Sequence, residues 1–280
     1  DNAGMARCAL NPETMQSKKY KIVPAKKQKK VAIVGGGIGG METARVLALR
    51  GHKPTIFEKS GSLGGVFVAA AAPQFKSADK ALLKWYEKQM KDLNVDIRFN
   101  TEVKPSDTLT GFDEVVVATG ATAKRVPVKG AEKCIEACDY LSGAPVGDKI
   151  VVIGGGLTGC EIALDAHLKG RTPVIVEMKN DLIAVKGVCL ANSSYLREYF
   201  ALHKVEVHLE STVKEVGDGY VVVREKNGNE VKIPADTVVT SVGYTPAPLE
   251  LKGAKYVGDC KEVGNLRTVI WRAWDVAMKI

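Results

Sequence analysis

The residues best suited to chemistry in this chain are two clusters of glycine, each followed at a fixed distance by a glutamate. Gly35-x-Gly37-x-x-Gly40 is followed by Glu58, and Gly154-x-Gly156-x-x-Gly159 by Glu177; both acids stand 18 residues after the last glycine of their cluster. A G-x-G-x-x-G turn between a strand and a helix, with an acid about this far downstream, suits a dinucleotide. The first glycine permits the tight turn, the second lets the backbone approach a pyrophosphate, and the third lets helix and strand pack closely. The pyrophosphate meets the free N–H groups and positive end of the helix. The carboxylate at the tip of the next strand accepts from ribose hydroxyls.

The flanking segments supply the elements that would hold such sites. "KKVAIVGGGIGGMETARVLALRG" and "DKIVVIGGGLTGCEIALDAHLKG" share one plan: an apolar β-branched run, a glycine cluster, a helical pattern and a closing glycine, Gly51 or Gly170. "FDEVVVATGA" and "ADTVVTSVGY" repeat further, Asp113 and Asp236 each lying seven residues before Gly120 and Gly243. Between 205 and 233 apolar and polar residues alternate around turn signals at 217–219 and 227–228, which predicts an antiparallel meander. "SADKALLKWYEKQMKDLN" predicts an amphipathic helix.

Bulk properties narrow the class. The 280 residues, 45% hydrophobic, suffice for two domains. No run of eighteen apolar residues exists, so no membrane-spanning helix is expected. The formal charge is +8, but Lys18, Lys19, Lys21, Lys26, Lys27, Lys29 and Lys30 carry seven of those charges in one acid-free stretch, leaving +1 elsewhere. That stretch reads as a solvated linker before the first strand; no nucleic-acid partner is expected. The six cysteines (8, 134, 138, 160, 189, 260) are scattered without a CxxC pair. Together with a start unlike a signal peptide, they lead to the expectation of reduced thiols and a cytoplasmic protein.

Five motifs in order carry a resemblance: the two glycine clusters; "LGG" at Leu63–Gly65; "VVVATGA" before Lys124-Arg125-Val126-Pro127; "VTSVGYTPAP"; and "YVGDC" at Tyr256–Cys260. Over residues 30–280 the chain resembles the two-dinucleotide-domain flavoprotein oxidoreductases. The resemblance implies an α/β fold of two Rossmann-like domains, the NAD(H) domain inserted in the FAD domain, each with an antiparallel meander or crossover. The implied boundaries are a tail and linker at 1–30, the first part of an FAD domain at 31–143, an NAD(H) domain at 144–246, and the end of the FAD domain at 247–280. It assigns to FAD Gly35, Gly37, Ile38, Gly39, Gly40, Glu58, Lys59, Gly64, Gly65, Val103, Ala118, Thr119, Gly120, Gly258 and Asp259. To NADH it assigns Gly154, Gly156, Leu157, Thr158, Gly159, Glu177 and Gly243.

A narrower resemblance rests on "SLGGVFVAAAAPQFKSADKALLKWYEKQM" and the C-terminal "GDCKEVGNLRTVIWRAWDVAMKI". These are similar to the C-terminal module of the 2-enoate reductase, 2,4-dienoyl-CoA reductase and trimethylamine dehydrogenase family. Members of that family begin with a TIM barrel carrying FMN and a segment holding a [4Fe–4S] cluster. Their last cluster cysteine precedes x-x-Asn-Pro, as Cys8 precedes Asn11-Pro12 here. The resemblance therefore implies that this chain is the C-terminal part of a longer protein, with Cys8 a cluster ligand only in that parent and the substrate-reducing site in the missing part. One thiolate cannot hold a cluster that takes four.

No catalytic side chain is assigned. The segment after the LGG turn has no cysteine pair; Cys160 and Cys260 are expected to be packing residues, and Cys134 and Cys138 fall in a connector. The histidines (52, 167, 203, 208) have no metal spacing, and His52, after a helix-closing glycine, is expected at the surface. The expected function is a FAD-dependent NADH oxidoreductase module that passes hydride from NADH to FAD and electrons onward to the absent iron–sulfur and FMN domain. The alternatives are a stand-alone NADH:acceptor reductase and a non-catalytic nucleotide-binding scaffold.

Overall fold

The run Val31-Ala32-Ile33-Val34 is apolar at every position, so a strand made from it must be buried on both faces. In the structure, a computed structural model describing residues 7–185 and 188–280, it is. It forms β1 (Lys30–Val34), the centre of a parallel five-stranded sheet with β2 (Lys53–Phe57), β3 (Asp96–Arg98), β4 (Glu114–Val117) and β15 (Lys255–Tyr256), in the order β15-β4-β1-β2-β3. Val31 and Ile33 face helices α2 (Ile38–Leu49), α4 (Ser77–Asp92) and α8 (Leu266–Ala277). Ala32 and Val34 face Val103, Leu109, Phe112, Leu249 and Leu251 from irregular chain on the other side. Strand order reverses at β1, between β2 and β4, and in doubly wound sheets the crevice at that reversal takes the ligand.

The chain forms two compact units. This sheet belongs to the first, which comprises residues up to Val68, Ser77–Thr122 and Tyr244–Ile280. It also contains most of β5 (Ala121–Ala123), which pairs with β14 (Tyr244–Pro246), and α1 (Ser17–Tyr20). A short helix, α3 (Val66–Ala70), follows the Leu63–Gly65 turn.

The second unit, Ala69–Lys76 and Ala123–Gly243, repeats the plan. Its parallel sheet contains β6 (Ile135–Glu136), β7 (Lys149–Ile153), β8 (Thr172–Val176), β9 (Glu206–His208) and β13 (Thr237–Thr240), in the order β6-β13-β7-β8-β9. Ile150 and Val152 pack against α6 (Leu157–Leu168) and α7 (Leu190–Leu202), with α5 (Ala137–Leu141) beside α6. Val151 and Ile153 pack under the expected meander, formed by β10 (Thr212–Gly217), β11 (Tyr220–Arg224) and β12 (Glu230–Pro234). The edge strand comes from after the core in the first unit (β15) and from before it in the second (β6). Residues 123–143, expected from the sequence in the first domain, lie in the second compact unit, where β6 pairs with β13.

The repeat reaches single hydrogen bonds. Lys30 N donates to Asp113 Oδ2 at 2.7 Å, and Lys149 N to Asp236 Oδ2 at 2.9 Å, each tying the start of the central strand to the residues leading into its neighbour. No helix among the described residues is long and apolar enough to cross a membrane.

Two local expectations are corrected. The lysine-rich stretch is not wholly solvated: Tyr20 is buried and Ile22 packs on the first unit's helical core. His52 is not a surface residue. It is 5% exposed, and its Nδ1 accepts from Lys29 N at 3.1 Å. Burial, with Arg50 and Lys29 nearby, holds its pKa below the ordinary value. α2 also carries a buried acid, Glu42, 1% exposed; both its oxygens accept from Arg45 at 2.8 and 2.9 Å, and Tyr86 Oη donates to one at 3.2 Å. Burial raises the Glu42 carboxyl, and the Arg45 fork works the other way. The guanidinium lies over the rings of Trp85 and Trp274.

Removing one member of a buried pair strands the other. Glu42→Ala should therefore cost about 3 kcal/mol in urea unfolding, and adding Arg45→Met should restore part of it. For His52 the unfolded chain binds a proton at higher pH than the folded one, so the contribution is full above the ordinary His pKa and lost as pH falls below it. Unfolding midpoints at pH 5 and pH 7.5 should differ less in His52→Asn than in wild type; an equal difference in both contradicts the assignment.

Candidate functional site

In the first unit the glycine loop runs from the end of β1 into α2. Gly35 has φ +107°, and a Cβ there would stand 2.5 Å from the Ala118 carbonyl oxygen. A Cβ on Gly40 would stand 1.9 Å from the Gly35 carbonyl oxygen, so only glycine lets α2 return this closely to the strand end. Gly37 is the N-cap, with extended backbone and no capping side chain, and the first turn of α2 carries no acid. The helix thus offers its own N–H groups to an anion.

Glu58 follows β2 and is buried. Its Oε2 accepts from Gly36 N at 2.7 Å, and its Oε1 accepts from Ser60 N and Ser60 Oγ, both at 2.8 Å. An ionised carboxylate has about four acceptor sites, so one is left for a ligand hydroxyl. The Leu63–Gly65 turn lies on the same loop: Gly64 N donates to Gly36 O at 2.9 Å, and Leu63 Cδ2 lies 2.6 Å from where a Cβ on Gly36 would be. Gly64 and Gly65 both have positive φ.

Ala118-Thr119-Gly120 follows β4 across the reversal point. Ala118 N donates to Val34 O at 2.8 Å, and Thr119 Oγ1 to Ala247 O at 2.7 Å. Gly258-Asp259 opens a short 3-10 turn against the start of α2, where a Cβ on Gly39 would lie 3.6 Å from Gly258 Cα. Asp259 Oδ1 accepts from Gly264 N at 3.0 Å, and burial raises its carboxyl. The structure therefore brings Gly35–Gly40, Glu58, Gly64, Gly65, Ala118–Gly120, Gly258 and Asp259 to the carboxyl ends of the first sheet's strands. Lys59 is exposed next to Glu58. The Val103 side chain lies in the sheet's second core and not at the loop.

The second unit reproduces this geometry. Gly154 has φ +109°, with a Cβ position 2.3 Å from the Ser241 carbonyl oxygen, and a Cβ on Gly159 would be 1.9 Å from the Gly154 carbonyl oxygen. Gly156 caps α6 with nothing within 4 Å of its Cβ position, which leaves the approach to the Leu157-Thr158 turn open. Glu177, also buried, accepts at Oε2 from Gly155 N at 2.6 Å and at Oε1 from Lys179 N at 2.8 Å. Gly243 has φ +95° and follows β13 as Gly120 follows β4.

Sequence reasoning missed two features. Leu182 Cδ2 lies 2.6 Å from the Cβ position of Gly155, and Ile183 N donates to Gly155 O at 2.7 Å, so Leu182-Ile183 closes the second loop as Leu63-Gly64 closes the first. The signal was present, since each leucine stands five residues after its glutamate. The second is an ion pair of Lys76 with Glu161 near the start of α6. Glu161 repeats the position of Glu42, two residues past the last glycine, but nothing in the sequence points to Lys76, 85 residues earlier.

Three of the cysteines are poor redox groups. All six are free. Burial pushes the Cys134 thiol to about 11 and Cys160 to about 12, and raises Cys260. Cys160 and Cys260 are buried, as expected for packing residues. Cys8 is half-buried, its Sγ accepting from Leu10 N at 3.4 Å. Among the described residues no cluster of three or more His, Cys, Asp or Glu side chains could hold a metal ion.

Comparison with known proteins agrees with this geometry. The pyridine nucleotide-disulphide oxidoreductase family profile matches residues 9–111 and 105–263. The chain is 40% identical to cinnamate reductase of Clostridium sporogenes over 290 aligned positions, covering 100% of this chain and 43% of that protein. It is 32% identical to an NADH oxidase of Thermoanaerobacter brockii, covering 98% and 44%. A solved 2-naphthoyl-CoA reductase superposes with TM-score 0.91 at 29% identity, over 98% of this chain and 43% of that one. The chain thus spans less than half the length of these relatives. Two carboxylate-anchored glycine loops on two doubly wound sheets, matched along the chain by this profile and these reductases, make it a member of the pyridine nucleotide-disulphide oxidoreductase family: an oxidoreductase, and the FAD- and NAD-binding module of the 2-enoate reductase type.

Proposed function

We propose that the first unit holds FAD, the second holds NADH, and the chain moves electrons from NADH to an acceptor domain on a longer polypeptide. The observation that supports this most is the duplicated site: in each unit a buried glutamate accepts from the glycine between the first two motif glycines, Gly36 or Gly155, and retains acceptor capacity for a ribose hydroxyl. In the first unit the N–H groups of Gly37–Gly40 receive the pyrophosphate. Glu58 receives the adenine ribose, Lys59 and the main chain at Val103 flank it, and Gly64-Gly65, Ala118–Gly120 and Gly258 let the backbone come close. Asp259, on the turn beside Gly39, takes the ribityl–pyrophosphate region. In the second unit Gly154–Gly159 and Gly243 serve the pyrophosphate of NADH, and Glu177 its adenine ribose.

FAD, when bound, supplies the hydride acceptor and the one-electron relay. The protein supplies orientation and electrostatics, and the raised thiols of Cys134 and Cys160 keep both cysteines protonated. A 2′-phosphate on the nucleotide would stand beside the Glu177 carboxylate, which favours NADH. By resemblance, the acceptor carries a [4Fe–4S] cluster with Cys8 as one ligand and an FMN barrel that reduces an unsaturated substrate. Six cysteines without a disulfide suit the cytoplasm.

Protein purified with FAD should be yellow, and NADH added anaerobically should bleach the flavin bands; a protein that stays colourless with added FAD, or a flavin that NADH leaves unbleached, contradicts the proposal. Glu177→Gln retains an acceptor for Gly155 N and removes the charge. It should shift the NADH/NADPH ratio of kcat/KM toward NADPH by about tenfold, equivalent to about 1.4 kcal/mol. An unchanged ratio would remove Glu177 from the ribose site.

A further inference from the structure

The stretch before β1 does not hang free of the first unit. The Cys8 carbonyl accepts from Trp271 Nε1 at 3.1 Å, across 263 residues. Tyr20, 7% exposed, packs tilted on the same indole with ring centroids 5.4 Å apart, and the Arg267 guanidinium lies 4.7 Å from the ring centroid. Further along, Arg50 Nε donates to Val23 O, Ala25 N to Arg50 O, and Gln28 Nε2 to Gly51 O. The strap ends at Lys29 N on His52 Nδ1. Its two anchors are therefore α8 and the C-terminal end of α2.

Trp271 lies on one side of α8 and Val269, two residues away, on nearly the opposite side. Val269 Cγ1 lies 3.4 Å from the Cβ position of Gly39 and 3.7 Å from that of Gly258. A single helix thus touches the nucleotide loop with one side and holds the Cys8 segment with the other. An unanchored chain of about 20 residues would spread its ends over roughly 25 Å. Electron transfer falls steeply with distance, so such a spread would leave most arrangements unproductive.

We propose that Trp271 is a positioning residue: it clamps the Cys8 segment to α8, so that residues 8–29 are a fixed mount for a redox domain attached N-terminal to Cys8. This rests on the proposed electron-transfer function, but the mount itself is measurable without flavin.

In a background with Cys134, Cys138 and Cys189 changed to Ser, nitroxides are placed on Cys8 and on Lys53→Cys, an exposed position at the start of β2. Pulsed EPR on the Trp271 protein should give one narrow distance. Trp271→Ala should broaden it at least twofold, and Trp271→Phe, which keeps a ring for Tyr20 but loses the N–H, should fall between them. Far-ultraviolet circular dichroism and urea midpoints check folding. If Trp271→Ala does not fold, Trp271→Phe decides, together with amide exchange of residues 8–22, expected to be at least tenfold faster than in wild type. A broad distance in the Trp271 protein, or distances and exchange unchanged in the variants, overturns the proposal. Absence of NADH bleaching with a narrow distance would instead count against the electron-transfer function and leave the clamp standing.

Discussion

The interaction on which the rest depends is the hydrogen bond from the glycine between the first two motif glycines to the carboxylate ending the next strand: Gly36 N to Glu58 and Gly155 N to Glu177. It joins the end of β1 to the end of β2, and the end of β7 to the end of β8, at the point where a ligand enters a doubly wound sheet. A buried carboxylate costs free energy unless its acceptors are used. Main-chain donors fill about half of them here, the Ser60 hydroxyl adds one at Glu58, and the remaining capacity is left for the ligand. The glycines follow from the same constraint, since a Cβ at Gly40 or Gly159 would stand 1.9 Å from a carbonyl oxygen of its own loop.

The fold was largely legible because the strands carry unbroken apolar runs and the loops carry glycines, several of them at positions where a Cβ would strike a carbonyl oxygen. The meander over the second sheet was legible from its alternation and turns. What was not legible came from contacts between distant segments. Tyr20 sits among lysines, and its burial comes from distant partners such as Trp271, 251 positions away in the sequence. His52 follows a helix-closing glycine, a usual mark of the surface, yet Lys29 N and the returning strap cover it. The edge of the second sheet is two residues, Ile135 and Glu136, too short to give a strand pattern. A reading of the sequence therefore assigns residues 123–143 to the first domain. Of the candidate site, the glycines and both glutamates were readable. Lys76 beside Glu161 was not, since the motif fixes only one of the two partners.

Chemistry in this chain is concentrated in main chain and carboxylates rather than in nucleophiles. Burial keeps Cys134, Cys160 and Cys260 protonated, and the described residues form no metal cluster. Such a molecule binds and orients redox cofactors and leaves bond-making to them. Its two units solve one problem twice, and the differences between them are peripheral. One sheet is covered by a meander and the other by irregular chain, and the edge strand comes from opposite ends of the repeat.

The central claim is that each unit binds its own dinucleotide through its own glutamate. Equilibrium binding of FAD and of NADH to wild type, Glu58→Gln and Glu177→Gln tests it most directly. The account predicts one FAD and one NADH per chain, with Glu58→Gln weakening only FAD and Glu177→Gln weakening only NADH. Loss of both nucleotides in either variant, or of neither in both, would contradict it.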